Sequence, residues 1–301
     1  MELKNILQGI DGIKAKGSID IDVSNIMSDS RKVEKDSMFI AVKGFETDGH
    51  KYIKDAIEKG AKVIMVQEGE DIKDIIKTQG ITILMVPDTR NALAKVSCNF
   101  YENPSKKFTL IGVTGTKGKT TTTFMIKQIL EKQGKNVGLI GTIATYINGK
   151  RLEDSSRTTP ESIELQKTFA EMVKQKVEVV VMEVSSQSLK YDRVVGCDFD
   201  IAVFTNFSED HISPKEHPDM GDYFNSKIKL FDMCKIAFSN TDDLHGCKVM
   251  KLNKCDTFSY GIDNGADLVA KDITITNSYA DFRVKLGGKN ERVKVRNTRK
   301  I

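Results

Sequence analysis

Residues 112–121 read Gly-Val-Thr-Gly-Thr-Lys-Gly-Lys-Thr-Thr, a composition suited to holding a polyphosphate. Gly112, Gly115 and Gly118 allow the backbone to turn tightly and aim its N–H groups inward, and a helix opening near Lys119 adds the positive end of its dipole at the same point. Gly115, Thr116, Lys117, Gly118, Lys119, Thr120 and Thr121 form the candidate ATP loop. In it the Lys119 ammonium neutralises phosphate oxygens and the Thr120 hydroxyl is placed to ligate the accompanying magnesium. The spacing is a variant of the general phosphate-loop pattern, since Val113 stands where that pattern has its first glycine and the nearest glycine is one residue earlier. The competing interpretation is a glycine turn from strand to helix with no ligand.

Two further polar runs follow apolar segments. Val-Glu-Val-Val-Val-Met leads into Glu183, Val184, Ser185, Ser186 and Gln187, and Asp-Ile-Ala-Val-Phe leads into Thr205 through His211. In open parallel sheets ligands gather beyond the carboxyl ends of the strands, so Glu183 and His211 are placed to face the phosphate loop as divalent-ion ligands. The alternatives are a helix cap or surface ion pair for Glu183 and a hydrogen-bonded loop histidine for His211. The His211-to-His217 spacing is too loose for a metal motif. Ser185 and Ser186 have the residue type of a hydrolase nucleophile, but Gln187 beside them is no base and no Gly-x-Ser-x-Gly elbow is present.

The elements that must position these groups follow from periodicity. Strands are expected at 37–42, 62–66 and 81–86 and helices at 50–59, 71–78 and 90–101, a small α/β unit ending at the Tyr-Glu-Asn-Pro-Ser-Lys-Lys break of 101–107. Further strands are expected at 108–113, 137–146, 178–184, 200–205 and 235–239, mostly separated by helical stretches, hence a largely parallel sheet. From Cys255 onward, short alternating segments predict antiparallel strands added at one edge. The expected fold is therefore α/β. A small amino-terminal α/β domain spans 1–104, and a phosphate-loop, mostly parallel-sheet ATPase domain with an antiparallel edge spans 105–301.

Composition fits an enzyme of small molecules. The 301 residues, 39% hydrophobic, suffice for two domains, and 46 basic against 42 acidic residues leave a net charge of only +4. That balance argues against nucleic acid or an anionic membrane as main partner; the basic stretch from Lys285 to Lys300 has no interleaved aromatic platform for nucleic acid. Five scattered cysteines without a Cys-x-x-Cys pair and the lack of an apolar span of bilayer length point to a cytoplasmic protein.

Several segments together resemble the Mur ligases, and among them those that add the third residue of the peptidoglycan peptide. They are Ser-Asp-Ser-Arg-Lys-Val at 28–33, Phe-Ile-Ala-Val-Lys-Gly-Phe-Glu-Thr-Asp-Gly-His at 39–50, the phosphate loop, Arg-Thr-Thr-Pro-Glu at 157–161, Met-Glu-Val-Ser-Ser-Gln-Ser-Leu at 182–189, Phe-Thr-Asn-Phe-Ser-Glu-Asp-His at 204–211 and Tyr-Phe-Asn-Ser-Lys-Ile-Lys-Leu-Phe at 223–231. The loop alone would also suit folylpolyglutamate or cyanophycin synthetases; the Ser-Asp-Ser-Arg and Thr-Thr-Pro-Glu segments favour the Mur group.

The resemblance implies an ATP-dependent ligase acting on UDP-N-acetylmuramoyl-L-alanyl-D-glutamate, ATP and an amino acid of the lysine or diaminopimelate class. ATP would phosphorylate the D-glutamate carboxylate, and the amine would attack the acyl phosphate with no covalent protein intermediate. It assigns Ser30 to the uridine nucleotide, Thr158, Thr159, Ser185 and Arg193 to sugar and peptide, and Thr120, Glu183 and His211 to magnesium. Lys119, His211 and Lys227 fall at catalytic positions, with Lys227 a carbamylated lysine whose added CO2 makes it a magnesium ligand. On residue type alone Lys227 is one lysine of a charged helix, read as solvated. Two features depart from the pattern. Gln187 stands where histidine is expected, and the chain ends at Asn-Thr-Arg-Lys-Ile before the family's amino-acid-binding third domain, so the alternative is a truncated, catalytically silent nucleotide- or UDP-sugar-binding remnant.

Overall fold

The computed structural model describes residues 1–44, 47–73, 78–214, 216–252, 254–286 and 288–296. Two sheets organise the chain. The first contains β1 (Lys14–Lys16), β2 (Ile26–Met27), β3 (Met38–Ile40), β4 (Val63–Gln67) and β5 (Thr82–Val86) in the order β1-β5-β4-β3-β2, accompanied by α1 (Leu3–Ile6), α2 (Ile53–Glu58) and α3 (Thr89–Phe100). Strand alternation sends successive side chains to opposite faces, so Met38 and Ile40 join Leu84 and Leu93 in one core while Phe39 joins Ile53 and Ile64 in another. Asp88 caps α3 by accepting from Arg90 and Asn91 N–H groups.

The second sheet begins with β6 (Thr109–Thr114), followed by α4 (Lys119–Lys132), β7 (Val137–Ile140), β8 (Ala144–Ile147), β9 (Lys150–Asp154), α5 (Ser162–Lys174), β10 (Val179–Glu183), α6 (Ser186–Lys190) and β11 (Phe199–Phe204). It continues through α7 (Met220–Ile228), β12 (Cys234–Asn240), α8 (Leu244–Leu252), β13 (Asp256–Gly261), β14 (Leu268–Ile275), β15 (Tyr279–Leu286) and β16 (Lys289–Arg296). The strand order is β16-β15-β14-β13-β12-β11-β6-β10-β7-β8-β9, parallel from β7 through β10, β6, β11, β12 and β13 to β14. The connections reverse direction across β6, and at such a switch point the strand ends open a crevice. Apolar residues cover both faces: Leu110, Val180 and Met182 pack with Leu165 and Phe169 of α5, while Ile111, Val113, Val179 and Val181 pack with Ile126 and Leu130 of α4.

Several expectations need correction. The strand expected over 137–146 is two antiparallel strands, because the chain turns at 141–143 over the buried Glu183; a Cβ on Gly141 would lie 2.3 Å from Glu183 Oε1. The β8–β9 hairpin was not expected, although Asn148 and Gly149, both at positive φ, are the pair such a turn demands. Gly112 lies inside β6 and makes no turn; a Cβ there would meet the Phe199 ring at 2.7 Å, so its role is close packing. Beyond Cys255 the strands are not all antiparallel, since β13 runs parallel to β12 and β14 while only β14–β16 form a meander. The helix expected over 50–59 opens as a 3-10 turn, Gly49–Tyr52, before α2. Of that expected over 71–78, residues 74–77 lie outside the described residues and 71–73 are not helical. Residues 297–301 also lie outside the described set. Among the described residues no helix is long and apolar enough to cross a membrane.

The break at 101–107 contains a short 3-10 turn, Pro104–Lys107, with Pro104 and Ser105 buried. The Ser105 hydroxyl accepts from Asp198 N–H, and Asn91 Nδ2 donates to Asp192 Oδ2, so contacts tie the first sheet's helix to the loops of the second.

Candidate functional site

The loop 115–118 leaves β6 at the crevice, and its shape follows from two constraints. Gly115 has φ 146°, and a Cβ on it would lie 2.0 Å from Thr205 Oγ1, so no larger residue fits unless the strands part. The end of β11 then holds the loop by its backbone. Thr116 N–H donates to Asn206 O at 2.9 Å, Lys117 N–H to Asn206 Oδ1 at 2.9 Å, and Thr205 Oγ1 donates to Lys117 O at 2.8 Å. Helix α4 starts at Lys119 with Gly118 as its cap, so the helix dipole points to the mouth of the loop.

Lys119 Nζ folds back on this loop, donating to the Gly115 and Thr116 carbonyls at 3.0 Å each. Burial lowers its pKa, opposed by the charges of Glu183 and Asp210. From the other side Lys227, on α7, donates to the same Gly115 carbonyl at 2.8 Å, with Nζ 4.4 Å from the Tyr223 ring centroid. Lys227 is only 1% exposed, which overturns the reading of it as solvated: its helix turns this residue inward beside Tyr223 and Phe224 while Lys229 stays outside. Burial, with the neighbouring Lys119 charge adding to it, holds the Lys227 pKa well below the lysine norm.

Glu183 ends β10 fully buried. It accepts from Thr120 Oγ1 at 3.0 Å, from Thr142 N–H at 2.9 Å and from Thr142 Oγ1 at 3.1 Å. It is therefore neither a helix cap nor a surface ion pair. A buried carboxylate ringed by hydroxyls and lying against the phosphate loop has the all-oxygen chemistry that suits magnesium, and Thr120 and Glu183 fit that ion. His211 is placed differently. Its backbone is left-handed at φ 58°, its ring is half exposed, and Nδ1 lies 3.1 Å from Glu216 Oε2.

A cavity of about 180 Å³ opens beside these groups, lined by Lys119, Arg157, Thr158, Ser185, Ser186, Gln187, Arg193, His211, Glu216 and Lys227. Of the residues expected for sugar and peptide, the structure brings Thr158, Ser185 and Arg193 into this lining and places Thr159 behind it, buried, donating to Glu183 O at 2.9 Å and accepting from Ser185 N–H at 3.0 Å. Arg193 is 3% exposed, pairs with Glu161 at 2.9 Å, and its Nε has no hydrogen-bond partner among the described residues. An unpartnered buried donor at a cavity wall is a place for an anionic ligand atom. Gln187, in the place where a histidine was expected, donates to Glu216 Oε1 at 3.0 Å, so Glu216 links it to His211.

Ser30 stands apart from this cavity. It lies in a 3-10 turn of the first sheet, buried, its carbonyl accepting from Lys59 Nζ at 3.0 Å, behind the Asp29–Arg31 pair.

Sequence reasoning missed His217. Its side chain is fully buried, with Nδ1 2.6 Å from Asp222 Oδ2 and Nε2 2.9 Å from Ser186 Oγ. Burial pushes its pKa below the histidine norm against the opposing pull of Asp222. The expectation that no base sits beside Ser186 is thus corrected: the base comes from a loop 31 residues on in the chain, and only the fold brings it there. The Asp222 five residues after His217 was the one available signal.

A model described as Mur ligase middle domain matches residues 113–298, and one described as Mur ligase family, catalytic domain matches residues 22–101. The UDP-N-acetylmuramoyl-L-alanyl-D-glutamate--2,6-diaminopimelate ligase of Clostridium tetani is 43% identical over 295 residues, covering 98% of this chain and 60% of that protein. The enzyme of the same name from Clostridium botulinum is 47% identical over 261 residues, covering 87% of this chain and 53% of that protein. A solved structure of a UDP-N-acetylmuramoyl-L-alanyl-D-glutamate--2,6-diaminopimelate ligase superposes with a TM-score of 0.81 at 24% identity, over 97% of this chain and 59% of that one. The chain thus spans about 60% of the length of the curated relative from Clostridium tetani.

Proposed function

The chain belongs to the Mur ligase family, and from that premise we propose that it carries the ATP and UDP-sugar sites of a ligase joining an amino acid to UDP-N-acetylmuramoyl-L-alanyl-D-glutamate. The relatives' names favour 2,6-diaminopimelate over lysine as that amino acid. Residues 1–104, with Ser30, are assigned to the uridine end, and residues 105–301 to ATP and the reacting carboxylate.

The observation that carries this reading is the meeting of Lys119 and Lys227 on the Gly115 carbonyl, beside a buried Glu183–Thr120 pair and a cavity rich in cationic side chains. Two anions must approach for ATP to phosphorylate a carboxylate. Loop N–H groups and Lys119 offset that repulsion and stabilise charge on the transferring group. Arg193 and Arg157, with Thr158 and Ser185, would orient the acidic peptide so that its carboxylate reaches the phosphate. The amine of the amino acid then displaces phosphate from the acyl phosphate. Thr120 and Glu183 would hold magnesium, which would supply positive charge to offset that of the phosphates. Lys227 suits carbamylation, because CO2 adds to a neutral amine and burial favours that form.

The test is ADP release by the purified chain with Mg-ATP, bicarbonate and the UDP-dipeptide, with lysine or diaminopimelate in separate assays and Lys119→Ala as blank. Release above the blank only with dipeptide and one amino acid supports the ligase and names its substrate. Tight binding of the UDP compound without ADP release selects the second reading, a nucleotide- and UDP-sugar-binding chain that does not turn over.

A further inference from the structure

Ser186, His217 and Asp222 form a linear hydrogen-bonded series that the ligase reaction does not use. His217 Nδ1 faces Asp222 Oδ2 at 2.6 Å and Nε2 faces Ser186 Oγ at 2.9 Å. Asp222 is fixed in turn, since the same Oδ2 accepts from Lys190 Nζ at 2.7 Å. A carboxylate can only accept, so the imidazole must carry its proton on Nδ1 and present a lone pair at Nε2. The Ser186 hydroxyl then donates to Nε2, leaving its oxygen lone pairs for the cavity that Ser186 helps to line. The Tyr223 ring, 4.9 Å from the imidazole centroid, closes the other side and keeps the ring from turning.

We propose that Ser186 is an activated nucleophile, with His217 as its base and Asp222 as the group that orients His217, acting on an anionic ester or other phosphoryl or acyl electrophile held in this cavity. The arrangement matches the nucleophile, base and orienting acid of serine hydrolases, which recur on unrelated folds and are recognised by geometry. Lys119, Lys227, Arg157 and Arg193 line the same cavity, so the electrophile is negatively charged. In the step, Ser186 Oγ forms a bond to carbon or phosphorus, its proton passes to His217 Nε2, and the leaving group departs with the electron pair of the bond that breaks. The His217 proton then passes to the leaving group; in the release step neutral His217 takes a proton from the attacking water and returns it to Ser186 Oγ as the bond to the serine breaks.

This inference stands independently of the ligase reading, since neither ATP nor an amino acid takes part. The experiment incubates the purified chain with a fluorophosphonate, in which fluoride is the leaving group, and locates the adduct by peptide mass spectrometry. The expected result is one adduct on Ser186, absent from Ser186→Ala and formed at least tenfold more slowly in His217→Gln. Circular dichroism and a melting curve establish that each variant is folded. Asp222→Asn replaces His217→Gln if the latter does not fold, and urea-unfolded wild-type chain is the reference if neither does. An adduct at another residue, no adduct, undiminished labelling in a folded relay variant, or equal labelling of unfolded chain would each overturn the proposal. A ligase assay that fails while Ser186 is labelled separates the two readings.

Discussion

Lys227 Nζ donates a 2.8 Å hydrogen bond to the carbonyl of Gly115, joining residues 112 positions apart in the chain. That bond fastens α7 to the phosphate loop and brings a buried amine to the carbonyl that the partly buried Lys119 already holds. Replacing Lys227 by methionine keeps the volume, removes an ionisable amine from a site that disfavours its charge, and leaves the carbonyl its bond from Lys119. Lys227→Met is expected to unfold in urea with stability unchanged or raised by about 1–2 kcal/mol, while ADP release falls to the blank. A loss of stability would show that the ammonium is well accommodated.

Lys119→Ala removes the ammonium nearest the loop without touching its backbone contacts with Asn206. ADP release, here measured against a protein-free control, should fall about 10²–10³-fold, the usual loss when one donor to a developing anion is removed, with the melting temperature little changed. A fall of less than tenfold would place the phosphates elsewhere.

At Gly115 an added methyl group would lie 2.0 Å from Thr205 Oγ1. Gly115→Ala is expected to cost about 1–3 kcal/mol in urea unfolding and to weaken nucleotide binding. Thr205→Ser keeps the colliding hydroxyl, whereas Thr205→Ala removes it, so the Gly115→Ala/Thr205→Ala pair should recover part of the loss and the pair with serine should not. Equal behaviour of the two pairs would locate the strain in the backbone alone.

Glu183→Gln retains size and hydrogen-bonding capacity but loses the charge. The magnesium concentration giving half-maximal ADP release should rise about 10–100-fold, with the secondary structure intact by circular dichroism. An unchanged magnesium requirement would remove Glu183 from the ion's surroundings.

Burial holds the pKa of both His217 and His245 below the usual histidine value of about 6.5. Between that value and each folded one, the unfolded chain binds more protons than the folded chain, so stability rises with pH across that window. The stability is complete above about pH 6.5 and is lost as the pH falls through the folded values. Urea midpoints measured from pH 7 down to 5 should fall, and the fall should flatten in His217→Gln/His245→Gln; an equally steep fall in the double variant would assign it to carboxylates.

Much of the fold was legible because local pattern and global architecture agree here. The apolar run before Gly115, the glycine and lysine spacing and the helix after it are local features, and β6, the loop and α4 follow them. The site was legible in part. Strand ends carrying Glu183 and Thr205 are where a parallel sheet gathers its ligands. Lys227 is marked only by the family resemblance and looks solvated by residue type alone, Ser186 is set aside because Gln187 beside it is no base, and His217 is not singled out, since a lysine on a helix and a serine before a glutamine are ordinary surface features in sequence.

What the sequence determined by itself was the family, the alternation of strands and helices, and the phosphate loop, because these rest on residue type at short spacing. Tertiary structure alone decided the rest. Whether Lys227 is solvated or buried depends on which face of α7 meets Tyr223 and the loop, and whether Ser186 has a base depends on a loop that returns past it 31 residues later. Burial and hydrogen-bond partnership are set by neighbours in space, and for these residues the neighbours are distant in the chain.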